Sequence, residues 1–319
     1  MPPRIVTLTV NPAVDLATTA KSVQPGHKIR TFNERYDPGG GGINVARVIF
    51  ELGGQTLALF ASGGVTGRFV EEMLTTAKVP SQVVPIRNAC RISVTVHDQS
   101  SGLEYRFVPQ GPQLAASDCA NILEALHQVE ADWIVASGSL APGMPTDFYG
   151  KVAAVVSGRG SKFALDTSGP ALAAALGHGI SLLKPSLSEF ESIVGHEVRD
   201  LPSQMTQARR LAQTGAAEMV ALSLGAGGAI VATADRVIHS PAFAVPAKTG
   251  VGAGDSFLAG LVLGLSEQRP AEAALRLALA CGAAAVQNVG TAAVRRAAVD
   301  ALLADTMGQQ SRPSRCSAA

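Results

Sequence analysis

The chain has 319 residues, 47% hydrophobic and 16% charged, with a formal net charge of +1. That composition supplies ample core and excludes a basic nucleic-acid surface or an acidic tail. Cys90, Cys119, Cys281 and Cys316 lie far apart with no CxxC or zinc spacing, and a disulfide framework is not expected in a chain this long. No signal-peptide pattern opens the chain, and every apolar run breaks short of the roughly 20 residues of a membrane span, so a cytoplasmic protein is expected.

Residues 4–10 read as a core strand whose exit, 11–16, delivers Asp15. Residues 28–36 are polar and β-prone. A glycine run containing Gly40 and Gly41 then opens a buried helix, 43–52, that carries Asn44. A core strand (55–61), an amphipathic helix (67–77) and a short strand (82–86) follow. Residues 91–97 and 103–108 alternate polar and apolar about a turn, as in a sheet with one wet face. With 28–36 they predict a small sheet set into the larger domain in two pieces, about 14–37 and 90–109.

From residue 117 the pattern is regular α/β. Helices at 117–130, 146–158, 169–177, 188–195 and 203–214 alternate with strands at 132–136, 162–165, 181–183 and 218–222. Such alternation implies a mainly parallel sheet with helices on both faces. A hairpin near 227–240 and helices at 256–265, 271–287 and 293–304 complete a domain expected to span 1–307, with 308–319 a disordered tail.

Gly250, Gly252 and Gly254 crowd the five residues before Asp255, and an apolar helix follows. Glycines allow close backbone approach to a ligand, and the N–H groups of a helix start form an anion hole. An acid beside it suits a base that works next to a transferring phosphoryl group. The competing reading is a helix cap. Ligands of open α/β sheets bind beyond the carboxyl ends of the strands. The strand exits here carry Asp15, then Ser137, Gly138 and Ser139, then Asp166, Lys184, Ser223, Gly225 and Gly228. No GxxxxGK[ST], HRD or DFG motif occurs, which excludes P-loop NTPases and protein kinases as templates. PGGGGIN follows a polar strand and lacks the downstream acid of a dinucleotide fingerprint. An NAD-dependent oxidoreductase and a catalytically inactive sugar-binding protein stay open as alternatives. The six histidines show no metal-ligand spacing.

PGGGGINVAR, SGSLAPG, SLGAGG and GVGAGD, in that order, resemble the PfkB (ribokinase-like) family of carbohydrate kinases over residues 4–305. The opening TLTVNPAVD is similar to its phosphofructokinase-2 and 1-phosphofructokinase branch. The resemblance implies an α/β domain with a β-sheet lid, homodimerisation through that lid, and phosphorylation of a ketohexose phosphate by ATP. Fructose 6-phosphate is favoured; fructose 1-phosphate and tagatose 6-phosphate are the competitors.

The resemblance also implies roles. Asp255 takes the proton from the sugar hydroxyl, and Gly252, Ala253 and Gly254 offer N–H groups to the phosphoryl. Asp15, Gly40, Gly41, Asn44 and Ser139 hold the sugar, with a turn serine as the other reading of Ser139. Arg91, with Lys28 and Arg30 from the lid, holds the existing phosphate, unless the last two only solvate the lid face. Lys184, Ser186, Ser223, Gly225, Gly228, Ala283 and Asn288 serve ATP. Glu189 and Asp166 hold Mg²⁺ through water, and Thr249, Val251, Ala285, Asn288 and Gly290 surround a monovalent cation such as K⁺. One departure stands out: the family asparagine before Glu189 is Ser186 here.

Overall fold

Strand β1 (Ile5–Thr9) is buried at every position, which places it inside a sheet covered on both faces. The structure, a computed structural model, describes residues 4–247, 250–287 and 294–310, with 305–310 described by backbone alone. After β1 come β2 (Ala13–Ala20), β3 (Thr31–Gly39), α1 (Gly41–Glu51), β4 (Thr56–Ser62), α2 (Gly64–Thr76) and β5 (Ser81–Pro85). The middle of the chain forms β6 (Arg91–Asp98), β7 (Glu104–Phe107), α3 (Ala116–Gln128), β8 (Trp133–Ser137), α4 (Phe148–Ser157), β9 (Lys162–Asp166) and α5 (Gly169–Ala175). Then follow β10 (Leu182–Leu183), α6 (Leu187–Val194), α7 (Leu201–Gln213), β11 (Met219–Ser223), β12 (Ala229–Thr233) and β13 (Val237–Ser240). Helices α8 (Ala253–Ser266), α9 (Ala271–Val286) and α10 (Arg296–Gln310) close the chain.

The large sheet runs β13-β12-β11-β10-β9-β8-β1-β4-β5, parallel from β11 to β5. The hairpin β12–β13 adds the antiparallel edge. Successive strand residues face opposite cores. Val6, Leu8, Ile134, Phe163 and Val220 join the core under α3–α7, while Ile5, Trp133, Val135, Ala164 and Ala221 join the core under α1, α8 and α9. Each large side chain taken from water contributes about 1.5–3 kcal/mol, so this alternation sets the strand register. Helices α8 and α9 pack closely because α8 carries small residues: a Cβ on Gly260 would stand 2.8 Å from Cys281 Sγ. No helix among the described residues is long and apolar enough to cross a membrane.

A second sheet, β3-β2-β6-β7, stands beside the first. Residues 11–16 are therefore not only an exit from the first strand: Ala13 already begins β2, which pairs with β3 antiparallel and with β6 parallel. The small residues of AVDLATTA blur the hydropathy contrast that would have marked this strand. Helix α8 starts at Ala253 rather than at Ser256, so Ala253, Gly254 and Asp255 form its first turn. Helix α10 runs through 308–310, and the remainder of the expected tail, 311–319, lies outside the described residues.

Candidate active site

Gly252 caps α8 in the left-handed region, at φ 75°, which turns the chain so that the first-turn N–H groups face outward. Asp255 is the third helical residue, yet its side chain makes no cap bond. Its carboxylate accepts instead from Asn44 Nδ2 at 3.0 Å and from Ser137 Oγ at 3.2 Å. Burial and the nearby Asp166 carboxylate push Asp255 up to about 6, against the pull of Asn44, Lys184 and Ser137. It is a carboxylate poised to take a proton near neutral pH.

Two cavities meet at this turn. The first, about 170 Å³, is lined by Asp15, Gly40, Asn44, Arg91, Gly252 and Asp255 among others. Asp15 reaches it from β2 and Asn44 from α1, while Arg91 enters from the start of β6. Arg91 donates to Asn11 O at 3.1 Å and to Pro109 O at 2.9 Å, but its buried Nε–H meets no acceptor among the described residues. Burial lowers its pKa and Asp15 opposes that shift. Gly41 lies so close to Ser137 that no side chain fits there. Val251, expected near a monovalent cation, lines the same cavity.

The second cavity, about 320 Å³, brings together Ser223, Gly225, Gly228, Ala253, Gly254 and Ala283. Its wall is mainly apolar, with Phe243, Val245, Phe257, Leu279 and Val286. Arg276 stacks over the Phe243 ring at 4.6 Å and holds that wall. Gly228, at φ 90°, lies against the Ser240 carbonyl, where no Cβ fits. The lining is mainly apolar with a few small polar residues.

Lys184 follows β10 and is 6% exposed, ion-paired with Asp166 Oδ1 at 3.2 Å. Burial opposes its charge, but Asp166, Asp255 and Glu189 together raise its pKa. Asp166 is itself raised by burial, with Lys184 opposing and Glu189 reinforcing. Ser186 caps α6: its hydroxyl accepts the Glu189 N–H at 3.4 Å, and Glu189 Oε2 accepts the Ser186 N–H at 2.8 Å. Ser223 donates to Pro185 O at 3.3 Å, tying this cap to β11.

Several expected residues do not line these cavities. Lys28 and Arg30 are exposed and border a separate surface groove with Lys21 and His27. Ser139 is exposed and receives the Asn11 amide at 3.4 Å, two contacts away from Arg91. Ala285 is buried within α9. Thr249, Asn288 and Gly290 lie outside the described residues. The sequence reading assigned no role to Ser137, which spans Asp255 and Asp166 (3.4 Å), nor to Arg106 on the cavity wall, nor to Phe243. Alternation along 104–107 marked Arg106 as facing away from Phe107; nothing in the sequence marked Phe243.

A helix start shared by a polar and an apolar cavity is the arrangement of a ribokinase-like sugar kinase, which moves a phosphoryl group onto an alcohol. The chain belongs to the pfkB family of carbohydrate kinases, whose pattern matches residues 9–297. It is 42% identical over 296 residues to the ATP-dependent 6-phosphofructokinase isozyme 2 of Mycobacterium tuberculosis, covering 92% of this chain and 87% of that protein. It is 36% identical over 290 residues to the Escherichia coli protein of the same name, covering 90% and 94%. The crystal structure of phosphofructokinase-2 from Escherichia coli in complex with potassium superposes with a TM-score of 0.91 at 34% identity, over 96% of this chain and 99% of that one. Kinases of this family use ATP with a divalent metal.

Proposed function

We propose that this kinase phosphorylates a ketohexose phosphate, with fructose 6-phosphate to fructose 1,6-bisphosphate as the favoured reaction. The observation that carries this reading is the polar cavity, in which Asp15 and Asn44 face Arg91 and Arg106 and which opens on Asp255. Short acids and amides suit hydroxyl groups. Arginine with an unused Nε–H suits a phosphate already on the sugar. The names of the relatives at 42% and 36% identity favour the same substrate.

The roles follow from position. Asp255 accepts the hydroxyl proton while Asn44 and Ser137 hold its carboxylate. The N–H groups of the cap residue Gly252 and of Ala253 and Gly254 in the first turn, with the Lys184 ammonium, face the transferring phosphoryl. Ser223, Gly225, Gly228 and Ala283 border the nucleotide, with Phe243 against the base. Among the described residues no three acids, cysteines or histidines cluster as a metal site. The oxygen donors Asp166 and Glu189 fit a water-mediated magnesium that the nucleotide completes. Magnesium would neutralise charge on the ATP phosphates. A potassium ion near Val251 and Ala285 is supported by the potassium complex of the Escherichia coli relative.

A homodimer through the small sheet is part of the proposal. Tyr36 and Phe107 share one face of that sheet by register and are 49% and 58% exposed, an apolar face that a second copy would cover.

The test is ADP release with fructose 6-phosphate, fructose 1-phosphate, tagatose 6-phosphate, ribose and adenosine. Turnover is expected to be highest with fructose 6-phosphate. Preference for another phosphorylated sugar would reassign the substrate, tight NAD binding would point to an oxidoreductase, and inactivity with all five would leave a sugar-binding protein.

A further inference from the structure

Arg47 sits on α1, three residues after Asn44, and its side chain is 10% exposed. Among the described residues its guanidinium donates to Asp37 Oδ1 at 3.1 Å, Pro38 O at 3.2 Å and Asn44 Oδ1 at 3.4 Å. Asp37 and Pro38 belong to the root of the small sheet, on β3, and Asp37 pairs across β2 with Asp15. Asp37 also accepts from Arg35 Nε at 2.8 Å. The Asn44 amide therefore stands between a cation that only donates and a carboxylate, Asp255, that accepts. Only one orientation satisfies both, with the oxygen toward Arg47 and the N–H toward Asp255. A lysine could supply the charge but not a planar fork for three acceptors.

We propose that Arg47 is a positioning residue that locks the Asn44 amide toward Asp255 and ties that lock to the root of the small sheet through Asp37 and Pro38. The inference rests on the kinase reading for its kinetic consequence but not for its geometry. Without the fork, the Asp255 carboxylate alone orients the Asn44 amide, whose oxygen loses its charged donor, and the N–H donor to the base is held less rigidly.

The experiment combines side-chain amide NMR with a kinetic cycle. In ¹⁵N-labelled wild-type protein, the Asn44 NH₂ pair, assigned by its loss in Asn44→Ala, should give two distinct and slowly exchanging proton signals. In Arg47→Met the pair should exchange with solvent faster and shift toward the positions of a free amide, and in Arg47→Lys the change should be intermediate. With the sugar substrate established by ADP release, Arg47→Met should lower kcat about tenfold or more, as expected for losing a charge-assisted hydrogen bond, and shift KM for ATP less than about twofold. In the Asn44→Ala background the same substitution should change kcat less than about twofold, because coupled residues are not additive. Thermal unfolding separates a folded variant from a collapsed one, and Arg47→Lys stands in if Arg47→Met does not fold. An Asn44 amide pair unchanged in the folded Arg47 variants would overturn the proposal whether or not the sugar assignment holds. So would an additive cycle.

Discussion

A Cβ on Gly254 would stand 3.3 Å from the Lys184 ammonium, so the first turn of α8 and the lysine after β10 share one small space. That ammonium cannot swing away freely, because Asp166 holds it at 3.2 Å and little of it reaches solvent. A single methyl group added at residue 254 tests this contact. Gly254→Ala should lower kcat by roughly tenfold or more, the scale on which displacing one preorganised donor acts. KM for the sugar phosphate should stay nearly constant. Steady-state kinetics with each substrate varied in turn checks both values.

Asp255→Asn should reduce kcat by at least about 100-fold, the range of a general base. The pH dependence follows from the carboxyl group being pushed up to about 6 from 3.8. Activity should fall on the acid side with a midpoint near that value, since only the ionised form takes the proton. The stability effect has the opposite sense. Between about pH 4 and 6 the folded protein keeps a proton that the unfolded chain has released, so stability drops as pH rises through this window and then levels. Asparagine carries no charge to bury. The variant should therefore be no less stable than wild type above pH 6, with a gain of up to about 3 kcal/mol. A loss of about 1 kcal/mol with turnover retained would be the signature of a cap.

Arg91→Ala should raise KM for the sugar phosphate and leave KM for ATP nearly unchanged, because Arg91 lines the polar cavity and not the apolar one. Its two backbone acceptors, Asn11 O and Pro109 O, lose a donor, so a modest fall in thermal stability should accompany the change. Arg106→Ala should raise the same KM with no such fall, since Arg106 is exposed on β7. Initial rates and unfolding curves of both variants distinguish the two positions.

Ser186 caps α6 and Glu189 closes the reciprocal bond, so the glutamate proposed for magnesium is also occupied in the cap. Ser186→Asn should lower the free Mg²⁺ needed for half-maximal rate, as an added outer-shell partner can alter metal affinity by about 10- to 100-fold. Glu189→Gln should raise that requirement strongly. Mg²⁺ titrations of the three proteins at fixed MgATP give the answer. Superimposable curves for the serine and asparagine forms would mean that the cap geometry serves equally well with either residue.

The alternation of buried strands and amphipathic helices was legible in the chain because period-2 and period-3.6 patterns are local. So was the GVGAGD turn, and so was the placing of Asp166, Lys184 and Ser223 at strand exits, since a parallel sheet delivers such exits to one edge. What the tertiary structure alone decided is which of these residues meet. Asp255 finds Asn44, 211 positions away, and Ser137, 118 positions away, through the crossing of α8 against α1 and β8. Arg106 reaches the sugar cavity only because β7 pairs with β6 in a register that sets it opposite Thr95. Lys28 and Arg30 carry the right charge for a phosphate, but they sit ahead of β3, beside a separate groove. Local residue type set what each side chain can bind, while strand register and helix crossing, which depend on contacts far apart in sequence, set what it reaches.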